Sequence, residues 1–291
     1  MCNKVFDVLE ISLEKVNTAV PKTEIWITVH PTPMPAPTSN TECNADSRSM
    51  IPPEFAALQM SKEDIARRAD ALLPRFRDAI SNIPPEAGFG GVWESEMFLF
   101  FAATQPCAPG QVLESGRARG KSTMILARCF PHARIISVEL ERDTTNAAAA
   151  EAKLGPCDNV DLLYGDSRKI LAEHLQPRDA VLIDGPKEFR GVELALELLR
   201  TLKPCVVFVH DFPPGAPWRR FVERHWPGVF FGDDPLFERF RILDQGRDPR
   251  SGSGTEKAGN YGIFACFPPG LPKRYWRLRA ALTLAQTGFP L

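Results

Sequence analysis

From Gln111 onward the chain repeats one pattern, in which a short β-branched or aliphatic run, a turn and a helix-length segment follow one another. The spacing predicts strands over Val112–Glu114, Ile135–Glu139, Val160–Tyr164, Ala180–Asp184 and Cys205–His210. Helices are expected between them over 121–129, 142–153, 168–175 and 188–202, the last with Val192, Ala195, Leu196, Leu199 and Leu202 on one face. Strands that alternate with helices need crossover connections, so the expected fold class is α/β, a doubly wound and mostly parallel sheet buried by helices on both faces. Later runs at Val229–Phe231, Phe240–Leu243 and Tyr261–Phe267 are expected to add antiparallel strands at an edge. No internal repeat is visible.

Proline, at 27 of 291 residues, marks the boundaries of this pattern. Residues 31–53 carry Pro, Thr, Ser and Asn with almost no large apolar side chain, cannot offset their ordering entropy, and read as a linker. Residues 1–30 are then a detached segment with a short amphipathic run (Val5, Phe6, Leu9, Leu13, Val16), read as a helix docking on the surface or an arm. Residues 54–110 read as a helical extension. Ile65, Ala69, Leu72, Leu73, Phe76 and Ile80 recur at three and four behind Ser61 and Asp64, spaced as a capping box, with Pro74 expected to kink or break the helix. Residues 111–291 form the α/β domain, with a surface loop at 246–260.

Charge and cysteine exclude several classes. A formal charge of −1 gives no overall field favouring nucleic acid or acidic lipid. Apolar runs such as Cys205–Val209 are far shorter than the roughly 20 residues that span a bilayer. The start, Met1-Cys2-Asn3-Lys4, lacks a signal-peptide core and a myristoylation glycine. The seven cysteines, at 2, 43, 107, 129, 157, 205 and 266, form no CxxC pair, which argues against a disulfide framework or a zinc site. The expected setting is cytoplasmic.

Ligands of a doubly wound sheet bind beyond the carboxyl ends of its strands, so the strand-end residues carry the chemistry. Nearly every predicted strand here ends in an acid. These ends are Glu114 with the turn SGRARG, then Glu139, then Gly165-Asp166-Ser167, then Asp184, and finally His210-Asp211. A lone acid there could be a helix cap or turn former. Gly116 and Gly120 would let the backbone pass close to a ligand at a helix start that offers free N–H groups. Glu139 follows Gly120 by 19 residues, near the spacing at which an acid on the second strand holds ribose hydroxyls. Together they indicate a nucleoside-containing ligand.

The segments VLESGRARGKST, IISVELERD, LLYGDSRKIL, DAVLIDGPKEFRGV and LKPCVVFVHDF, in this order and spacing, resemble the class I S-adenosylmethionine-dependent methyltransferases. The resemblance covers about residues 93–267 and is closest to the small-molecule O-methyltransferase branch with catechol-type and antibiotic-tailoring enzymes. It implies a seven-stranded Rossmann-like sheet with an antiparallel edge strand, S-adenosylmethionine as cofactor and a small-molecule methyl acceptor. The turn Glu114–Gly120, with Ser115 and Gly116, would cradle the methionine part of the cofactor. Glu139 would hold the ribose, and Gly165, Asp166 and Ser167 would lie against the adenine. Asp184 would border the cofactor as well. Metal-dependent members place acids at the ends of the fourth and fifth strands, here Asp184 and His210-Asp211, a set of donors suited to Mg2+ or Mn2+. Lys187 matches the base of catechol-type members. His210 stands where an acid is usual, and Phe212 follows Asp211 where an Asn might be, so a metal-free site with His210 as base stays open.

Rival readings remain. Gly120-Lys121-Ser122 nearly completes a phosphate-binding loop, as in a nucleotide triphosphatase or kinase, but Ser115 stands where that loop requires glycine and Glu114 would face a triphosphate unfavourably. Gly116-x-x-x-Gly120 is not the dinucleotide fingerprint. A non-catalytic scaffold on the methyltransferase fold is a third reading, suggested by Arg117 and Arg119 inside the glycine turn; their side chains are expected to face solvent. Trp218, Arg219, Arg220, Phe221, Arg224, His225 and Trp226 are expected to form a helix with a packing face and solvated arginines.

Overall fold

The computed structural model describes residues 60–83, 92–244, 263–272 and 274–286. The segment 1–30, the linker 31–53, the loop 246–260 and Tyr261 lie outside the described residues. Two helices, α1 (Lys62–Ile80) and α2 (Glu94–Thr104), precede the alternating part. That part runs β1 (Gln111–Ser115), α3 (Lys121–Cys129), β2 (Arg134–Glu139), α4 (Thr145–Leu154), β3 (Val160–Tyr164), α5 (Ser167–His174), β4 (Ala180–Ile183), α6 (Glu188–Thr201) and β5 (Val206–Val209). Then come α7 (Pro217–His225), β6 (Phe230–Phe231), a 3-10 stretch (Pro235–Asp244), β7 (Ala265–Phe267) and α8 (Tyr275–Gln286).

The strands form one seven-stranded sheet in the order β3-β2-β1-β4-β5-β7-β6. Neighbours among β1 to β5 are parallel, and β7 is antiparallel to both β5 and β6. The antiparallel strand therefore lies one place in from the edge, not at it as expected, because the buried pair Phe230–Phe231 adds a further strand outside β7. Phe240–Leu243 is not a strand. Phe237, Phe240 and Leu243 are buried at every third residue, the repeat of a 3-10 helix rather than the alternation of a strand. Pro74 does not break α1, which continues for 19 residues. Its buried face, with the Phe76 ring tilted against Phe98 of α2 at 5.0 Å, shows tertiary packing prevailing over the local penalty. Ser61 caps α1 as expected, its hydroxyl accepting from the Asp64 N–H.

Alternate residues of each central strand enter opposite cores. Val112, Ile135, Leu182, Val206 and Phe208 pack toward α1, α2 and α3, whereas Leu113, Ile136, Val181, Val207 and Val209 pack toward α6, α7 and α8. Every residue of α2 is buried. Its Phe100 ring meets Phe208 of β5 edge-on at 5.1 Å, and Phe208 in turn packs 4.4 Å from Phe264. Burying a Phe is worth roughly 1.5–3 kcal/mol, so this stack fixes α2 against the sheet.

Candidate active site

The sheet register brings the predicted residues together. Ser115 pairs with both Val138 and Ile183, and Ile183 pairs with Val209, so Gly116, Asp184 and His210 stand side by side at neighbouring carboxyl ends. Main-chain bonds lock this line: Asp184 N donates to Ser115 O at 2.7 Å and His210 N to Ile183 O at 2.8 Å. β1 and β4 flank the point where the strand order reverses, the position at which such sheets bind ligands.

The turn after β1 is built from glycines with left-handed backbones, Gly116 at φ +84° and Gly120 at φ +79°. A Cβ on Gly116 would lie 2.9 Å from the Asp184 carbonyl carbon and the Gly185 nitrogen, so only glycine lets the turn lie against β4. Glu114 is fully buried beneath the turn, accepting from Thr123 Oγ1 and from Ser137 Oγ at 2.7 Å, and burial pushes its carboxyl up. It shapes the turn from below. Ser115 Oγ donates to the Gly185 carbonyl. Glu139 ends β2 with its carboxylate accepting from Ala118 N at 2.9 Å and Leu140 N at 2.8 Å. Gly165 follows β3 at φ +132°, Asp166 caps α5 and pairs with Arg168, and Ser167 Oγ reaches toward the Gly185 carbonyl at 3.5 Å.

The two turn arginines part company. Arg119 is exposed, as expected, but Arg117 is only 2% exposed. Its guanidinium donates to the carbonyls of Ser137 at 2.6 Å and Leu163 at 3.0 Å and lies 4.4 Å over the Tyr164 ring. The solvent-facing reading fails here because the turn aims the side chain back over β2 and β3, where sheet carbonyls and a ring face accept a planar cation. Arg219 departs from expectation likewise. Its side chain is 11% exposed, pairs with Asp233 at 2.8 Å and donates to the Phe212 carbonyl. Beside it Trp218 Nε1 donates to the Asp211 carbonyl at 2.9 Å.

Beyond β4 and β5 lies a compact charged cluster. Asp184, His210 and Asp211 place one ligand atom each within 4.8 Å of one another. Asp211 adopts φ +63°, a left-handed backbone that Asp tolerates better than most residues. Lys187, at the head of α6, donates to Asp184 and stands 2.7 Å from Asp211. Burial alone would lower the Lys187 ammonium, but the two carboxylates outweigh it and hold it above the ordinary lysine value. Burial opposes ionisation of Asp211 too, yet His210 and Lys187 pull its carboxyl well below the usual range. His210 Nδ1 lies 2.8 Å from Asp184 and 3.0 Å from Asp211 but aligns for a hydrogen bond with neither. The ring is 8% exposed, so Nδ1 is an orphaned buried nitrogen aimed between two carboxylates. That donor set fits a divalent cation.

Sequence reasoning missed Glu96. This residue, 5% exposed, comes from α2 and places Oε2 3.0 Å from His210 Nε2. The signal was present in ESEMFLFF, where two acids and a serine head an apolar run, because an acid forced inside with such a helix needs a polar partner.

A doubly wound sheet with a glycine turn at its switch point and acids on the flanking strand ends is an arrangement in which α/β folds bind nucleoside-containing ligands. Residues 113–212, from within β1 to just past β5, match the family described as methyltransferase domain. That match covers about a third of the chain and takes in the glycine turn, the strand-end acids and His210. No curated protein matches the chain. Among solved structures it is similar to the O-methyltransferase TomG from Streptomyces achromogenes in complex with SAM, at 18% identity, 75% of this chain, 95% of that one and a TM-score of 0.39. An O-methyltransferase from Bacillus cereus in complex with SAH matches at 17% identity over 74% of this chain and 96% of that one, with a TM-score of 0.39. The SAH-bound methyltransferase PaMTH1 of Podospora anserina matches at 17% identity over 68% and 86%, with a TM-score of 0.35.

Proposed function

We propose that the enzyme methylates a hydroxyl of a small molecule with the help of a divalent cation, Mg2+ or Mn2+, held by Asp184, Asp211 and His210. One observation carries this reading: the orphaned His210 Nδ1 converges with two carboxylates on a single point, and Lys187 stands across the same carboxylates. S-adenosylmethionine, when bound, supplies a methyl group already activated as a sulfonium. Gly116, Gly120 and Ser115 line its methionine end, Glu139 receives the ribose, and Gly165, Asp166 and Ser167 face the adenine. Catalysis then consists of aligning an oxygen nucleophile and removing its proton. A divalent cation there would lower the pKa of the acceptor hydroxyl. Asp184 and Asp211 anchor the acceptor end, where they would otherwise repel a forming oxyanion. With Asp184 and Asp211 given over to a cation, Lys187 loses the carboxylates that keep it protonated, so that burial lowers its pKa and it can accept the proton; in a metal-free site His210 is the alternative base. Among the described residues no helix is long and apolar enough to cross a membrane. With a near-neutral formal charge, this supports a cytoplasmic enzyme acting on a small molecule and not on nucleic acid.

The test follows release of S-adenosylhomocysteine with catechol and other phenols as acceptors, with Mg2+ and after exhaustive chelation. Asp184→Asn and Asp211→Asn are expected to abolish metal-stimulated turnover with S-adenosylhomocysteine affinity changed less than about twofold, since neither substitution adds bulk at the cofactor turn. Lys187→Met should lower the rate mainly near neutral pH. Full activity after chelation refutes the metal role, and His210→Gln then tests the imidazole as the base.

A further inference from the structure

We infer that Glu96, delivered by the helical extension, is a positioning residue that sets the tautomer and orientation of His210 so that Nδ1 serves as the third metal ligand; this rests on the metal reading above.

The placement begins with helix and strand periodicity. Glu96 and Phe100 are four apart on α2 and so share a face, while Phe208 and His210 are two apart along β5 and its extension and so share a side. Phe100 packs on Phe208 at 5.1 Å, and one helical turn earlier Glu96 meets His210. The aromatic contact therefore sets the register that brings acid and imidazole together.

The hydrogen bonds then fix the roles. Glu96 Oε2 already accepts from the Trp93 main-chain N–H at 2.9 Å at the start of α2. An oxygen held as an acceptor by a main-chain donor faces His210 Nε2 as an acceptor as well, so Nε2 is the nitrogen that carries hydrogen. A bound cation requires the imidazole to be neutral, and the other nitrogen is then a bare lone pair. That nitrogen is Nδ1, the one aimed between Asp184 and Asp211. The reverse tautomer would point a hydrogen into the space where the cation belongs. Acids that hold the remote nitrogen of a metal-bound histidine commonly matter about 10- to 100-fold in metal affinity. Glu96 is also anchored from outside the sheet domain's strands, since Ser95 N donates to Asp244 at 3.0 Å and pins the head of α2. The extension is thus part of the site's machinery.

Two measurements test this. In 15N-histidine-labelled protein loaded with Mg2+, the resonances assigned by a His210→Gln variant should show hydrogen on Nε2 and none on Nδ1. The opposite tautomer overturns the proposal, and this readout needs no substitution of Glu96. In the second, Mn2+ affinity is followed by electron paramagnetic resonance for wild type, Glu96→Gln and Asp184→Asn, with folding checked by circular dichroism. Glu96→Gln should bind Mn2+ about 10- to 100-fold more weakly while binding S-adenosylhomocysteine as wild type does. Mn2+ affinity within twofold of wild type in Glu96→Gln, with loss in Asp184→Asn, overturns the role of Glu96 and leaves the metal site standing. A wild type that binds no Mn2+ overturns the metal reading and this role with it.

Discussion

Gly116→Ala links the cofactor turn to the carboxylate cluster through a single methyl group. Two costs arise. Gly116 sits at φ +84°, and a side chain in that left-handed region costs about 1–2 kcal/mol. The new Cβ would also stand 2.9 Å from the Asp184 carbonyl carbon and the Gly185 nitrogen, both main-chain atoms that move only if β4 moves. Overpacking of this kind costs about 1–3 kcal/mol, so the sum is roughly 2–5 kcal/mol. Gly120→Ala is the internal control. It shares the backbone term at φ +79°, but its Cβ would meet side chains of α4 alone. These are the Leu154 Cδ1 tip at 2.8 Å, which a rotamer change can relieve, and Ala150 Cβ at 3.3 Å, which a shift of a few tenths of an ångström accommodates. Gly120→Ala should therefore cost about 1–2 kcal/mol, close to the backbone term alone. Urea denaturation with unchanged slopes reads the difference directly. Because the clash falls on the main chain of Asp184, Gly116→Ala should also weaken Mn2+ binding more than Gly120→Ala does. Equal stability of the two variants, or Mn2+ binding unchanged in Gly116→Ala, refutes the idea that the turn and β4 are in obligatory close contact.

Two further outcomes follow from the same geometry. Glu139→Ala should weaken S-adenosylhomocysteine by about 1.5–3 kcal/mol, the usual value of charge-assisted hydrogen bonds; calorimetry giving an affinity within twofold of wild type would remove Glu139 from the cofactor site. His210 bears on pH dependence: burial opposes its charge, but Glu96, Asp184 and Asp211 raise its folded-state pKa well above the ordinary value. Its contribution is fully present below an unfolded pKa of about 6.5 and is lost as pH rises through the folded value. Metal-free protein should thus lose stability to urea as pH rises above about 6.5, and His210→Gln should flatten that slope; an identical slope in the variant contradicts the assignment.

Much of this was legible in the sequence because it depends on short-range patterns. The helix at 121–129, the helix expected over 188–202 and found over Glu188–Thr201, and the strand Val160–Tyr164 follow from apolar periodicity, and the strand-end acids follow from where the strands stop. What was not legible depends on side chains reaching across the fold. Arg117 looks like a solvated turn residue until β2 and β3 supply Ser137 and Leu163 carbonyls beneath it. Glu96 lies 114 positions from His210, and no local pattern links an α2 acid to a β5 imidazole. The 3-10 stretch shows the intermediate case, since Phe240–Leu243 taken alone reads as a short strand and only the wider spacing with Phe237 carries the helical repeat.

The most direct test of the methyltransferase assignment is calorimetric titration of the full chain with S-adenosylhomocysteine, with ATP as the comparison. One site of micromolar affinity, about 7–8 kcal/mol, is the expected result, with no heat from ATP. No heat from S-adenosylhomocysteine together with clear binding of ATP would contradict the assignment and turn the glycine turn into a phosphate loop after all.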